Sequence, residues 1–117
     1  QFYTNSAKLL SYSFSSIQQL ADYMVAHPNV HATIIGHTDN VGDAAANLSL
    51  SQARAETVKQ VLQNFGVQDG RVDALGKGES EPRTTNDTVE GRALNRRVEV
   101  RLTNTDTSET KSTEVNE

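Results

Sequence analysis

No cysteine occurs in this 117-residue chain, which excludes thiol redox chemistry and thiolate metal sites. Tryptophan is also absent, and three Phe and three Tyr are few aromatics for the length, so the core must be built mostly from aliphatic residues and alanine. No apolar run approaches the length of a membrane helix, and no signal-peptide pattern opens the chain. Strong charge is missing too. The net is −4, and residues 103–117 supply −3 of it, as Asp106, Glu109, Glu114 and Glu117 against Lys111. A body near neutrality argues against bulk attraction to nucleic acid or anionic lipid. The chain begins at Gln1-Phe2 without Met, which reads as an excised or processed domain of something longer.

What is present suffices for one domain with a real core. Residues 1–4 read as the end of a first strand, and 5–12 as a polar connection. Phe14, Ile17, Leu20, Ala21, Met24 and Val25 then fall on one helical face, with Ser11 or Ser13 as a cap and Pro28 as the stop. Val30, Ala32 and Ile34 alternate with His31 and Thr33 as a strand. A polar loop follows, and a second helix is expected from Ser49, where Ser49 and Gln52 fit a capping box. Gly66 is placed to end that helix in a left-handed conformation. Residues 71–75 predict a short strand, 76–88 a turn region, and 89–95 a brief helical turn. Val98, Val100 and Leu102 alternate with Arg97, Glu99 and Arg101, a last strand with one wet face. Residues 103–117, rich in Thr, Ser and Glu, predict a disordered acidic tail. The expected fold is a two-layer α/β (α+β) sandwich, with a small mixed sheet in the order β-α-β-α-β-β and two main helices on one face.

Arg54 is the most informative residue. It occupies the stripe formed by Leu50, Val58, Val61 and Phe65, with Leu62 alongside. A guanidinium there requires an anionic partner, because burial of an isolated charge is costly and a helix start favours anions. Asp39, in the loop leading to this helix, is the internal candidate. Either the two form a structural ion pair, or they split, with Arg54 facing a ligand carboxylate and Asp39 a ligand ammonium. Residue chemistry alone favours the structural pair.

Other chemistries find little support. His27, His31, His37 and Asp39 match no metal-ligand spacing. His37-Thr38-Asp39 has neither a nucleophile elbow nor an oxyanion hole to accompany it. Arg92, Arg96, Arg97 and Arg101 cluster at the last strand's entrance, but the stacking aromatics of a single-strand nucleic-acid site are missing. Arg97 and Arg101 are expected on a solvated face with Glu99. Gly76-Lys77-Gly78 is too short for a phosphate loop.

Several motifs in order now carry a resemblance: GHTDNVG (36–42), Asn47 with Leu50-Ser51 and Arg54-Ala55, Gly66-Val67, GKGE (76–79), Pro82, Asn86 and GRALNRRVEV (91–100). Together they resemble the OmpA-like peptidoglycan-binding domain, a module shared with flagellar stator proteins of the MotB type and peptidoglycan-associated lipoproteins. The resemblance covers residues 1–102.

The resemblance implies a periplasmic, non-enzymatic module without cofactor or metal. It would hold the peptidoglycan stem peptide by meso-diaminopimelate, whose side-chain end bears an ammonium and a carboxylate. Asp39 would take the ammonium and Arg54 the carboxylate, through a two-pronged contact. Asn47 would orient the ligand, Arg96 would stand at the rim, and Thr4 and Asn5 would contribute from the first strand's exit. The module would anchor a larger envelope protein of a Gram-negative cell, attached to membrane only through a missing N-terminal region, and it leaves room for a homodimer. Two alternatives are a flagellar stator or other motor-associated anchor, and a protein–protein scaffold in which Asp39–Arg54 is purely structural.

Overall fold

A computed structural model of the chain describes residues 13–104 and 109–116. The strand expected over residues 1–4, with Thr4 and Asn5 at its exit, lies outside the described residues.

Helix α1 spans Ser13–Ala26. Ile17, Ala21 and Met24 are buried at the expected helical spacing with Leu20 beside them, whereas Val25 is exposed. Pro28 disfavours helical geometry at His27, and the helix stops before it. The freed carbonyls are taken by a residue from far along the chain. Arg71 Nη2 donates to Met24 O at 2.7 Å, His27 O at 2.9 Å and Val30 O at 2.9 Å, and its Nε donates to Val30 O at 3.1 Å. A cation at a helix C-terminus also complements the helix dipole.

Strand β1 (Val30–His37) lies inside the sheet. It runs parallel to β2 (Val72–Gly78), with Ile34 opposite Ala74 and Gly36 opposite Gly76. On its other side it is antiparallel to β3 (Arg97–Asn104), pairing Ile34 with Val100 and His37 with Arg97. The order is β2-β1-β3-β4, so the sheet is mixed as expected. Val30, Ala32 and Ile34 share one face and join Val98 and Val100 in a single core with α1 and helix α2 (Ala44–Asn64). Both main helices therefore cover the same face.

Two expectations are corrected. Helix α2 begins at Ala44 rather than at Ser49, because Asp43 caps it by accepting from Ala46 N at 2.9 Å and the following Ala44-Ala45-Ala46 are the best helix formers. Gln52, freed from the supposed capping box, serves elsewhere. Residues 109–116 of the expected disordered tail form β4 (Glu109–Asn116), antiparallel to β3. An edge strand offers unmade backbone hydrogen bonds, and pairing with it needs no apolar burial, which is the term the tail lacks. Gly66 does end α2 with φ +106°, and the Gly66 N–Gln63 O (3.0 Å) and Val67 N–Leu62 O (3.0 Å) bonds complete a Schellman motif. A single 3-10 turn, Asp69–Arg71, enters β2, and α3 (Val89–Asn95) forms the brief expected helix.

Gly36 and Gly76 are the reason α2 sits where it does. A Cβ on Gly36 would run into the carbonyl of Ser51, and one on Gly76 into the backbone of Gln52. The paired glycines make a flat spot on the sheet, and the third turn of α2, at Ser51 and Gln52, rests on it. Ser51 Oγ can then accept from Gly78 N at 2.9 Å while donating to Leu48 O at 2.7 Å. Gln52 pairs with the edge of β2 as a strand would, accepting from Gly76 N at 2.7 Å and donating to Ala74 O at 3.1 Å.

Candidate ligand-binding site

The loop after β1 is held from three sides. Thr38 N donates to Gly78 O at 2.8 Å, which ties the end of β1 to the end of β2. Thr38 Oγ1 donates to Asp39 O at 2.8 Å, and Asp39 Oδ1 accepts from Val41 N at 3.0 Å, an Asx-type turn. From the helix, Asn47 Nδ2 donates to Val41 O at 3.0 Å and Asp39 O at 3.4 Å. Because α2 starts early, Asn47 lies on its first turns and not in the loop. It shares one helix face with Ser51 and Arg54, at successive turns. One face of α2 thus holds the loop, clamps the sheet and presents the buried cation.

Asp39 and Arg54 are both buried, Arg54 to 3% exposure, so the sequence argument for an arginine facing inward holds. Asp39 also has a direct partner that the sequence argument left at the rim. Arg96 Nη1 donates to Asp39 Oδ2 at 2.8 Å, from a side chain 35% exposed to a carboxylate 12% exposed. Arg54 feels both charges. Its pKa is lowered to about 10, chiefly by burial and then by repulsion from Arg96, with Asp39 opposing the shift. The guanidinium stays protonated at neutral pH. The site is therefore a triad of Asp39, Arg54 and Arg96 rather than a pair.

Arg96 reaches Asp39 because of the turn that precedes it. It caps α3, its own N–H donating to Arg92 O at 3.1 Å, and β3 starts at the next residue. Asn95, fully buried, organises the loop in front: its Oδ1 accepts from Arg83 N (2.8 Å) and Thr84 N (3.0 Å), and its Nδ2 donates to Thr84 O (3.0 Å) and Asn86 Oδ1 (2.7 Å). Arg92 Nη1 donates to Asn86 O at 2.9 Å. Asn86, Arg92 and Asn95, all within the quoted motifs, thus build the loop and turn that lead into Arg96. A buried asparagine ahead of two arginines is the signal sequence reasoning left unused.

On the opposite face of the sheet a second polar cluster sits under the same loop. His37 is buried, and its Nε2 lies 3.4 Å from Glu99 Oε1. Its Nδ1 has no hydrogen-bond partner among the described residues. Burial holds the His37 pKa below the ordinary value, helped by Arg97 and opposed by Glu99. Arg97 is only 7% exposed, with Nη2 donating to Glu81 O at 3.2 Å, which corrects the expected solvated face. That face is wet only further along, at Arg101, whose Nε donates to Glu99 Oε2 at 2.6 Å. Among the described residues no group of His, Asp or Glu is arranged to hold a metal ion.

Comparison with known proteins follows the same outline. Outer membrane porin F of Pseudomonas aeruginosa is 47% identical over 103 residues, covering 87% of this chain and 29% of that protein. The peptidoglycan-binding protein ArfA of Mycobacterium bovis is 37% identical over 99 residues, covering 85% of this chain and 30% of its own length. This chain therefore spans about three tenths of the length of these curated relatives. Among solved structures, the C-terminal domain of Helicobacter pylori MotB superposes with a TM-score of 0.82 at 25% identity, covering 92% of this chain and 84% of that one. Residues 1–96 match the OmpA family throughout, and with the mixed sheet, the two-helix layer and the loop-bound aspartate in place, the chain belongs to that family.

Proposed function

We propose that this chain is a non-catalytic module that binds peptidoglycan by the meso-diaminopimelate of its stem peptide and so anchors a larger envelope protein to the cell wall in the periplasm. The observation that carries the reading is the triad: a buried, protonated Arg54 on α2, a buried Asp39 in the loop after β1, and Arg96 at the rim bonded to Asp39. Such a site suits a zwitterion. The diaminopimelate side chain carries a carboxylate for the Arg54 fork and an ammonium for Asp39. A relative named for peptidoglycan binding supports the same ligand class. Asn47 sets the loop that holds Asp39, and Thr4 and Asn5 are assigned to the site by resemblance. The recognition unit is residues 1–102.

Anchoring needs no turnover, and weak single-site binding is enough when the wall presents many stems to several tethered modules. Lysine, lacking the second carboxylate, withdraws the ligand's contact to Arg54, a difference of about 2–5 kcal/mol for a charge pair out of water. The likeness to MotB favours a second reading within the same class, a motor-associated wall anchor, and the identity of the flanking chain separates the two. In the scaffold alternative the Asp39–Arg54 pair would be purely structural, and neutralising either residue would destabilise the fold strongly rather than abolish binding with the fold retained.

The test is calorimetric titration with a diaminopimelate stem peptide and its lysine analogue, using wild type, Asp39→Ala and Arg54→Ala, each checked for fold by circular dichroism. Binding of the diaminopimelate peptide alone, lost in both folded variants, supports the reading. A folded wild type that binds neither peptide rejects it.

A further inference from the structure

Among the described residues β2 ends the sheet, and its outer edge is closed by a side chain rather than by a strand. Gln52 Oε1 accepts from Gly76 N at 2.7 Å and its Nε2 donates to Ala74 O at 3.1 Å, two bonds of the kind a neighbouring strand makes. They fix the phase of the edge: Ala74 and Gly76 turn their backbone groups outward, while Asp73, Leu75 and Lys77 turn theirs to β1. The edge is also short. Val72 N is tied to Asp69 O, and Gly78 is held through its N by Ser51 Oγ at 2.9 Å and through its O by Thr38 N at 2.8 Å. Only residues 73–77 can take another strand. On the face away from the helices this stretch carries Asp73, Lys77 and between them Leu75, a large apolar side chain 42% exposed. On the helix side it carries only Ala74 and Gly76, beside a groove of about 480 Å³ walled by Leu48, Ala53 and Gly76.

We infer that the outer edge of β2 is a pairing surface for a second copy of this chain, joined antiparallel about a two-fold axis through Leu75, with Gln52 as the gate that swings out. This register sets each outward residue against another: Ala74 faces Gly76 of the second copy and Gly76 faces its Ala74, which makes four backbone bonds across the axis. Two of them take over the groups that each Gln52 had held. The same register brings Leu75 against its own copy and sets Asp73 opposite Lys77 twice, so exposed apolar side chains meet and opposite charges face. An axis through Ala74 or Gly76 instead would set Leu75 against Asp73 or Lys77, and would engage Val72 or Gly78, whose amides are already taken. The helix-side residues of the added strand, Ala74 and Gly76, bring little bulk to the groove beside α2. Four strand bonds replace four made by the two glutamines, so the net gain is small and the association is weak. The inference does not depend on the ligand reading, although a pair so joined carries two candidate sites, the condition for avidity on a wall.

The chain has no cysteine, so single cysteines report the register directly. Leu75→Cys is oxidised mildly over a range of protein concentrations, with Asp73→Cys as the control on the same strand and face. Opposed residues of this pair type lie about 4.5 Å apart at Cα, within disulfide reach, whereas the two copies of residue 73 would lie about 14 Å apart. Leu75→Cys is expected to form a linked dimer at least tenfold faster than Asp73→Cys alone, and a mixture of Asp73→Cys with Lys77→Cys is expected to link one to the other. Sedimentation equilibrium then tests the gate. Gln52→Ala, or Gln52→Met should the first not fold, is expected to dimerise about tenfold more tightly than wild type, the size of one hydrogen bond released from competition. Equal linking rates for Leu75→Cys and Asp73→Cys, or no linking by either, overturn the inference. Association that is unchanged or weaker in a folded protein without the Gln52 amide overturns it as well.

Discussion

The two halves of α2 are one continuous helix put to different uses. From Ala55 onward its inward residues are Ala55, Val58, Val61 and Leu62, a conventional apolar stripe packed into the core. Before Ala55 the buried residues are Ser51 and Arg54, both polar, with Asn47 half-buried on the same face. The second half stabilises the fold through area removed from water. The first half holds a loop, clamps two strand ends and keeps a cation out of water, which contributes little to stability and gives the site its geometry. Stability and the proposed recognition are thus separated along a single element.

The separation can be tested from both sides. The largest expected effect is on stability, from Leu62→Ala, which opens a cavity in the core and should cost about 2–5 kcal/mol in denaturant unfolding. Affinity for the stem peptide should be unchanged in whatever fraction remains folded. The converse is Arg54→Leu. Because Asp39 keeps Arg96 as a partner, an apolar residue of similar length should leave stability within about 1 kcal/mol of wild type or raise it. Peptide binding should disappear. A large loss of stability in Arg54→Leu would mean that the first half of the helix supports the fold as well, and the division would fail.

Gly76→Ala lies on the boundary. Its new methyl group meets the backbone of Gln52, so α2 must lift from the sheet, at about 1–3 kcal/mol of overpacking. Both readouts should suffer here, stability by thermal melting and affinity by titration, because the seam carries the clamp of Ser51 on Gly78. Gly70→Ala is the control, since nothing lies near its Cβ position.

The smallest effect is a pH dependence from the cluster on the other sheet face. Burial, and secondarily Arg97, hold the His37 pKa below 6.5, so near and below that pH the unfolded chain takes up a proton that the folded one refuses. Stability should therefore fall as pH drops below about 6.5 and level off below the folded pKa. Glu99 adds to this at lower pH. Burial alone would raise its pKa, but Arg101 and His37 more than offset that and hold it below 4.5, so its contribution is lost as pH falls through the folded value. His37→Gln should flatten the upper part of this profile, read as the urea midpoint against pH. An unchanged slope would assign it to other groups.

Much of the site was legible. Arg54 stood out because a guanidinium in an apolar stripe contradicts the pattern around it, and Asp39 because its loop leads into that helix. Arg96 could be placed only at the rim by resemblance. Its contact with Asp39, 57 residues away, follows from β1 and β3 pairing with His37 opposite Arg97, a register that no local pattern encodes. The same holds for Arg71, which sits beside the end of α1 only because β2 lies next to β1. The start of α2 was missed for a different reason: two capping signals, Asp43 and Ser49, compete in the sequence, and the alanines between them decide in favour of the first. For the tail, composition weighed side-chain burial, whereas an open strand edge offers the backbone hydrogen bonds directly.

The sequence by itself determined the elements whose signal is periodic: the stripe of α1, the alternation of β1 and β3, the left-handed stop at Gly66, and the inward arginine that marks the site. Tertiary structure alone decided which charge meets which. Periodicity is a property of neighbours along the chain, but the pairing of Asp39 with Arg96 depends on strand register and on a loop built around Asn95. It also depends on the flat spot at Gly36 and Gly76, where the absence of two side chains lets a helix approach closely enough for Ser51 to reach the sheet.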